Sequence, residues 1–145
     1  SDQIVVMKDG VLQQVAAPQD MYDNPGNAFV ATFLGNPPIN MFDAVVVDGH
    51  IVLNEKEMMK VELENQAVRL AVRPESFKID PNGLEAVITK VEHIGRDKLI
   101  GINLNDQNVN ALVDSEYNAK VGEPIHVSFK EKGVHLFTPE GKRIE

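Results

Sequence analysis

Leu70-Ala71-Val72-Arg73-Pro74-Glu75 decides how this chain reads. Leu70 to Val72 are apolar and partly β-branched, the composition of a strand. Pro74 has no backbone N–H, so the ladder ends there and a turn begins. Arg73 and Glu75 flank the proline, where a guanidinium and a carboxylate are placed to tie the turn together as an ordinary ion pair. The residues before this stretch prepare a small β domain, and those after it supply more strands of the same domain.

Working outward, Ser76-Phe77-Lys78-Ile79 leads to a second predicted turn at Asp80-Pro81-Asn82-Gly83. Further strands are predicted over 84–94, 98–104, 108–113, 124–130 and 134–137. Gly95 and Asn105-Asp106 break the middle strands, and Gly122-Glu123-Pro124 and Lys132-Gly133 separate the later ones. Ile125, Val127 and Phe129 alternate with His126, Ser128 and Lys130, which predicts one wet face. Upstream, 41–47 reads as a strand, Asp48-Gly49 as a tight turn and 51–53 as the return. Residues 54–60 are charged around Met58-Met59 and predict a loop or short helix. Residues 61–63 are expected to pair with 67–72. Short strands punctuated by Gly, Pro, Asn and Asp indicate a small barrel or sandwich.

The first forty residues differ. Ile4-Val5-Val6-Met7 is a short apolar run, Asp9-Gly10 a hairpin turn, and 11–15 a returning strand. Pro18 and Asp20 mark a helix start, and Pro25 stops it. Asn27 is placed to cap a second helix through Leu34, whose Phe29/Phe33 and Val30/Leu34 pairs share a face. Gly35 suits the position after its end. Asn36-Pro37-Pro38 then marks a domain boundary, dividing the chain into 1–37 and 38–145. A hairpin with no lead-in and no partner for its apolar side suggests a piece of a larger protein. Without that parent, the hairpin and helices are expected to be poorly anchored, with Phe29, Phe33 and Leu34 then packing against the barrel or against another copy.

Composition narrows the function. The chain has 145 residues, 43% of them apolar, which suits a globular fold. Its formal charge is -8 and its pI about 5.0, with no Lys/Arg cluster, so nucleic acid and anionic lipid are not expected partners. There is no cysteine, hence no disulfide or thiol chemistry. No apolar run reaches membrane-spanning length, and no signal peptide is visible.

No motif for chemistry stands out. There is no G-x-x-x-x-G-K-[ST] loop, and Ala44-Val45-Val46-Val47-Asp48 reads as a strand entering a turn rather than a magnesium-holding strand end. His50, His93, His126 and His135 lack metal-ligand spacing. Ser1, Ser76, Ser115 and Ser128 sit in no nucleophile elbow. Gly95-Arg96-Asp97-Lys98 is a charged hairpin whose exposed tip is placed to meet a partner or an anion.

The order of the segments carries more. The run 2–10, Gln14-Val15, then Pro18-Gln19-Asp20-Met21-Tyr22-Asp23-Asn24-Pro25 and Phe29 to Asn40 resembles the C-terminal end of ATP-binding subunits of sugar ABC importers, of the maltose and glycerol-3-phosphate types. Arg73-Pro74-Glu75, Gly95, and His135-Leu136-Phe137 with Glu140-Gly141 resemble landmarks of the β-rich TOBE domain that comes next in those subunits. The resemblance implies a mainly β chain: a small OB-like barrel over 38–145, preceded by a hairpin and two short helices that end a nucleotide-binding domain. It implies a regulatory and dimerisation role, with Asn40, Met41, Arg73, Pro74, Glu75, Gly95, Arg96, Leu136 and Phe137 as regulatory or interface candidates.

By the same resemblance the catalytic motifs lie upstream of Ser1, so no catalytic, cofactor or metal residue is expected here, and ATP and Mg belong to the full-length parent. Implied partners are a second copy, permease subunits and a regulatory protein. The implied location is cytoplasmic, at the membrane face in the parent. The alternative is a sensor of oxyanions or small ligands.

Overall fold

The computed structural model describes residues 3–33 and 38–144, without the Phe33 side chain. The chain opens with β1 (Ile4–Lys8) and β2 (Val11–Ala16), then α1 (Pro18–Asp23) and α2 (Ala28–Phe33). β3 (Asn40–Val47), β4 (His50–Leu53), β5 (Lys56–Lys60) and β6 (Gln66–Val72) come next. A 3-10 turn over Pro74–Ser76 leads into β7 (Phe77–Ile94), β8 (Asp97–Leu104), β9 (Gln107–Asp114), β10 (Pro124–Phe129) and β11 (Val134–Phe137).

Two antiparallel sheets enclose one core. One has the order β11-β6-β3-β4-β5, the other β10-β7-β8-β9, and β1-β2 stands as a separate hairpin. Alternation decides what turns inward. In β3, Asn40, Phe42, Ala44 and Val46 are buried while Asp43, Val45 and Val47 face out. β8 and β9 contribute Ile100, Ile102, Leu104, Val109, Ala111 and Val113. Phe129 stacks on Phe42 at 6.1 Å and meets Phe77 edge-on at 5.5 Å. Each such side chain stabilises the fold by roughly 1.5–3 kcal/mol against exposure. Every buried member of this core among the described residues lies between Phe42 and Leu136.

Asn40 joins the two sheets. Its Nδ2 donates to Val72 O at 3.2 Å and to Asn110 O at 2.8 Å, and its Oδ1 accepts the Asn110 N–H at 3.1 Å. A buried amide so satisfied fixes β3 against β9 without leaving an open polar group.

The two helices are docked on the barrel, contrary to the expectation of poor anchoring, and the hairpin packs on the helices. Ala28 and Ala31 of α2 pack with Ile39, Ala71 and Phe137 in a second cluster. Gly141 O accepts the Ala28 N–H at 2.9 Å, and Arg143 Nη1 donates to Pro25 O at 3.0 Å. Asn27 caps α2, its Oδ1 accepting the Val30 N–H at 2.9 Å. Val6, Met21 and Val30 form a third cluster, with Phe29 packed against it and Lys8 Nζ 5.3 Å from the Phe29 ring centroid. The Phe33 side chain, Leu34, Gly35 and Asn36-Pro37 of the predicted helix end and boundary lie outside the described residues.

Other expectations are corrected. Residues 54–60 are neither loop nor helix: Asn54 and Glu55 take φ +52 and +66, a tight turn that returns the chain as β5. That places Met58 and Met59 against the core. Residues 61–63 lie in no strand, and β6 pairs with β3 and β11 instead. Asp80-Pro81-Asn82-Gly83 does not end a strand. It bulges within β7, where the register against β10 jumps from Glu85 opposite His126 to Ile79 opposite Val127. Ser128, expected on a wet face, is buried.

Candidate functional site

β6 ends at Val72, and Pro74 starts the 3-10 turn, so Arg73 is held extended at φ -64, ψ 148. Its N–H donates to Gly133 O at 3.0 Å, continuing the β6–β11 pairing by one step. The side chain leaves the barrel and runs under α1. Arg73 is only 1% exposed, among the largest fully buried side chains described. Nη2 donates to Tyr22 O at 3.1 Å and Nη1 to Ala31 O at 3.4 Å. One guanidinium thus holds main-chain carbonyls of α1 and α2. Helix ends leave such carbonyls without intrahelical partners, and a cation is favoured there.

The Tyr22 ring lies beneath the same group, with its centroid 3.8 Å from Arg73 Cζ. Its hydroxyl donates to the Glu75 carboxylate. The predicted tie between Arg73 and Glu75 therefore runs through Tyr22. Burial, then the hydrogen bond to Glu75 and its charge, push the Tyr22 hydroxyl up to about 12, against the opposing Arg73 charge. Burial lowers the Arg73 pKa, while Tyr22, Glu75 and Asp23 favour its charged form. The guanidinium stays protonated at any working pH.

Beneath this pair, Ser76 Oγ donates to Lys132 O, and Gly133 is the next residue, at φ +85. A Cβ on Gly133 would sit 2.1 Å from Ser76 Oγ and 3.3 Å from Arg73 Cγ. His135, 8% exposed, lies beside it on β11. Burial, then the charges of Arg143 and Arg73, push its pKa down to about 4, with Asp23 opposing, so the imidazole is neutral at pH 7. Between α1 and the barrel opens a cleft of about 600 Å³ onto which Arg73, Glu75, Lys130, Lys132 and His135 face.

Of the sequence candidates, Arg73 and Glu75 line this cleft, and Pro74, buried, shapes the turn between them. Asn40 is the inter-sheet bridge, and the Met41 carbonyl accepts from Gln107 Nε2 at 2.7 Å. Gly95 and Arg96 form the exposed β7–β8 turn, Gly95 at φ +56. Leu136 belongs to the main core and Phe137 to the cluster under α2, so neither presents a side chain outward. Sequence reasoning missed Tyr22, Gly133 and His135 as members of one site. The one signal was an aromatic residue on a short helix with Asp20 and Asp23 on either side of Met21-Tyr22. Among the described residues no group of three His, Cys, Asp or Glu could hold a metal ion, and no helix is long and apolar enough to cross a membrane.

Comparison with known proteins bears on this arrangement. Residues 70–137 match the TOBE domain family, a stretch that begins within β6 and ends with β11. The chain is 31% identical, over all of its length, to the sn-glycerol-3-phosphate import ATP-binding protein UgpC 2 of Agrobacterium fabrum, covering 42% of that protein. It is 31% identical, over 94% of its length, to the trehalose/maltose import ATP-binding protein MalK of Thermococcus litoralis, again covering 42%. The chain thus spans about two fifths of these relatives, and aligns with their C-terminal part. Among solved structures, the cytoplasmic molybdate-binding protein ModG superposes with a TM-score of 0.54 at 16% identity, over 69% of this chain and 96% of that one. That likeness supports an OB-like, TOBE-type barrel.

Proposed function

From the match of residues 70–137 to the TOBE domain family and the likeness to ABC importer ATP-binding proteins, we propose that this chain is the regulatory and dimerisation portion of such a subunit. Residues 1–37 close a nucleotide-binding domain, and 38–145 are the regulatory barrel. The import system is one for sugars or glycerol 3-phosphate, the solutes in the relatives' names. ATP and magnesium bind upstream of this segment, which hydrolyses nothing itself. Its partners are a second copy, permease subunits and a regulatory protein, and it acts on the cytoplasmic side of the membrane.

The observation that carries this reading is the grip of Arg73 on both helices. A rigid clamp at the boundary lets a change in the barrel reach the segment before it, which a flexible linker does not. A dimer face is available on the five-stranded sheet. There Val45, 42% exposed, lines a shallow groove of about 510 Å³ with Asp43 and Arg69. A face with both signs of charge suits its own copy across a two-fold axis, Asp43 of each towards Arg69 of the other. Light scattering over a concentration series tests this. A dimer that Val45→Glu dissociates is expected; a monomer at all concentrations overturns self-association of this segment.

A second reading comes from the likeness to ModG, a protein described as molybdate-binding. Under it the barrel senses an oxyanion. Calorimetry with molybdate separates the two: heat saturating at a fixed stoichiometry supports sensing.

A further inference from the structure

The cleft between α1 and the barrel has a balance of charge that the clamp does not use. Its two carboxylates are already engaged by the protein: Glu75 accepts from the Tyr22 hydroxyl, and Asp23 accepts from Gln19 Nε2 at 3.0 Å. Its two lysines, Lys130 at the end of β10 and Lys132 beside Gly133, form no ion pair among the described residues. They stand on a chain whose formal charge is -8, where carboxylates are plentiful. His135 lines the same cleft, more than nine-tenths buried, and its Nε2 has no hydrogen-bond partner among the described residues. Burying a polar nitrogen without a partner costs free energy that a ligand would recover.

We propose that this cleft binds a phosphate group, with Lys130 and Lys132 supplying charge from two sides and His135 Nε2 a hydrogen bond from the floor. A tetrahedral dianion offers oxygens in the divergent directions that donors just after β10, on the loop that follows and on β11 require. The volume of about 600 Å³ lies in the range of small-molecule sites and exceeds what a bare phosphate fills. The remainder, bordered by Tyr22, Gln19 and Asn24, suits the hydroxylated part of a small phosphate monoester. Such a ligand would touch α1 and the barrel together, and would reinforce the contact that Arg73 makes from below. The site needs no second copy of the chain, so it stands or falls separately from dimerisation.

The test is a titration of the 145-residue chain monitored by amide and imidazole NMR, with glycerol 3-phosphate, inorganic phosphate, succinate and glycerol as probes. Saturable shifts confined to Tyr22, Lys130, Lys132, Gly133 and His135 are expected with glycerol 3-phosphate and not with glycerol. The double variant K130Q/K132Q, altered only at exposed side chains, should bind roughly tenfold more weakly or worse with an unchanged thermal midpoint. Tighter binding of the ester than of inorganic phosphate identifies a monoester as the ligand; equal binding supports the site with the free ion as its occupant. Absence of saturation with both phosphates, equal binding of succinate, or shifts that persist in the double variant would each overturn the proposal.

Discussion

The Arg73 guanidinium lies 3.8 Å over the Tyr22 ring, between residues 51 positions apart. This contact joins the first residue after β6 to the last turn of α1. The ring, its hydroxyl and the guanidinium can be taken apart by substitution. Tyr22→Phe keeps the ring and loses the bond to Glu75, an expected cost of about 0.5–1 kcal/mol. Tyr22→Ala also loses the stacking and the packing, for about 2–3 kcal/mol. Urea unfolding of the two variants measures the difference, and equal losses would show that the ring contributes nothing.

Arg73→Lys keeps the charge but removes the planar fork. A single ammonium cannot reach Tyr22 O and Ala31 O from one position while facing the ring. We expect a loss of about 2 kcal/mol and faster amide exchange in α1 and α2, with β8 and β9 unchanged. Protection factors by hydrogen exchange check this, and uniform loosening of the barrel would contradict it.

Gly133→Ala should destabilise by about 1–3 kcal/mol, because φ +85 is strained for alanine and the new Cβ would meet Ser76 Oγ. Combining it with Ser76→Ala removes the obstructing hydroxyl and should restore part of the loss, leaving the backbone strain. Thermal melts of the single and double variants separate the two terms.

His135 gives the fold an acid-sensitive component. An unfolded histidine takes up a proton near pH 6.5, whereas burial holds His135 neutral down to about 4. Between these values the unfolded chain binds more protons, so stability falls as pH falls through that window and levels off below it. The loss attributable to this group is up to about 3 kcal/mol. Unfolding free energies measured from pH 7 to 4 should show the slope in the native chain and a flatter profile in His135→Gln.

Truncation to residues 38–145 should leave a barrel that unfolds cooperatively, because every buried member of the main core among the described residues lies between Phe42 and Leu136. Its midpoint should drop, since Arg73, Ala71 and Phe137 lose what covers them. A non-cooperative melt would show that the two segments fold as one unit.

Much of the β architecture was legible because its turns announce themselves. Asp9-Gly10, Asp48-Gly49 and Asn105-Asp106 all take positive φ at both positions, residue types that tolerate it. Asn54-Glu55 was missed because Glu at φ +66 is rare, and a charged β5 then hid inside an apparent loop. The bulge at 80–83 was misread because Pro81-Asn82-Gly83 has the composition of a chain reversal. What identifies it as a bulge is the register jump against β10, and Val127 O, 2.2 Å from where a Gly83 Cβ would stand, explains the glycine there. The site was half visible. Arg73 and Glu75 stood out beside a proline, but their common partner Tyr22 lies more than fifty positions away, and local pattern carries no information over that distance.

Arg73 addresses α1 and α2 through carbonyl oxygens, which every residue type carries. Those two hydrogen bonds therefore do not depend on which side chains the helices bear, although the Tyr22 ring and the Asp23 charge also act on the guanidinium. The exposed positions Gln19 and Asp20 are free to drift, or to be rewritten for a new neighbour, without loosening the clamp. Helical segments of this kind could be exchanged between related proteins as interchangeable couplings, provided each keeps an aromatic ring beneath the guanidinium.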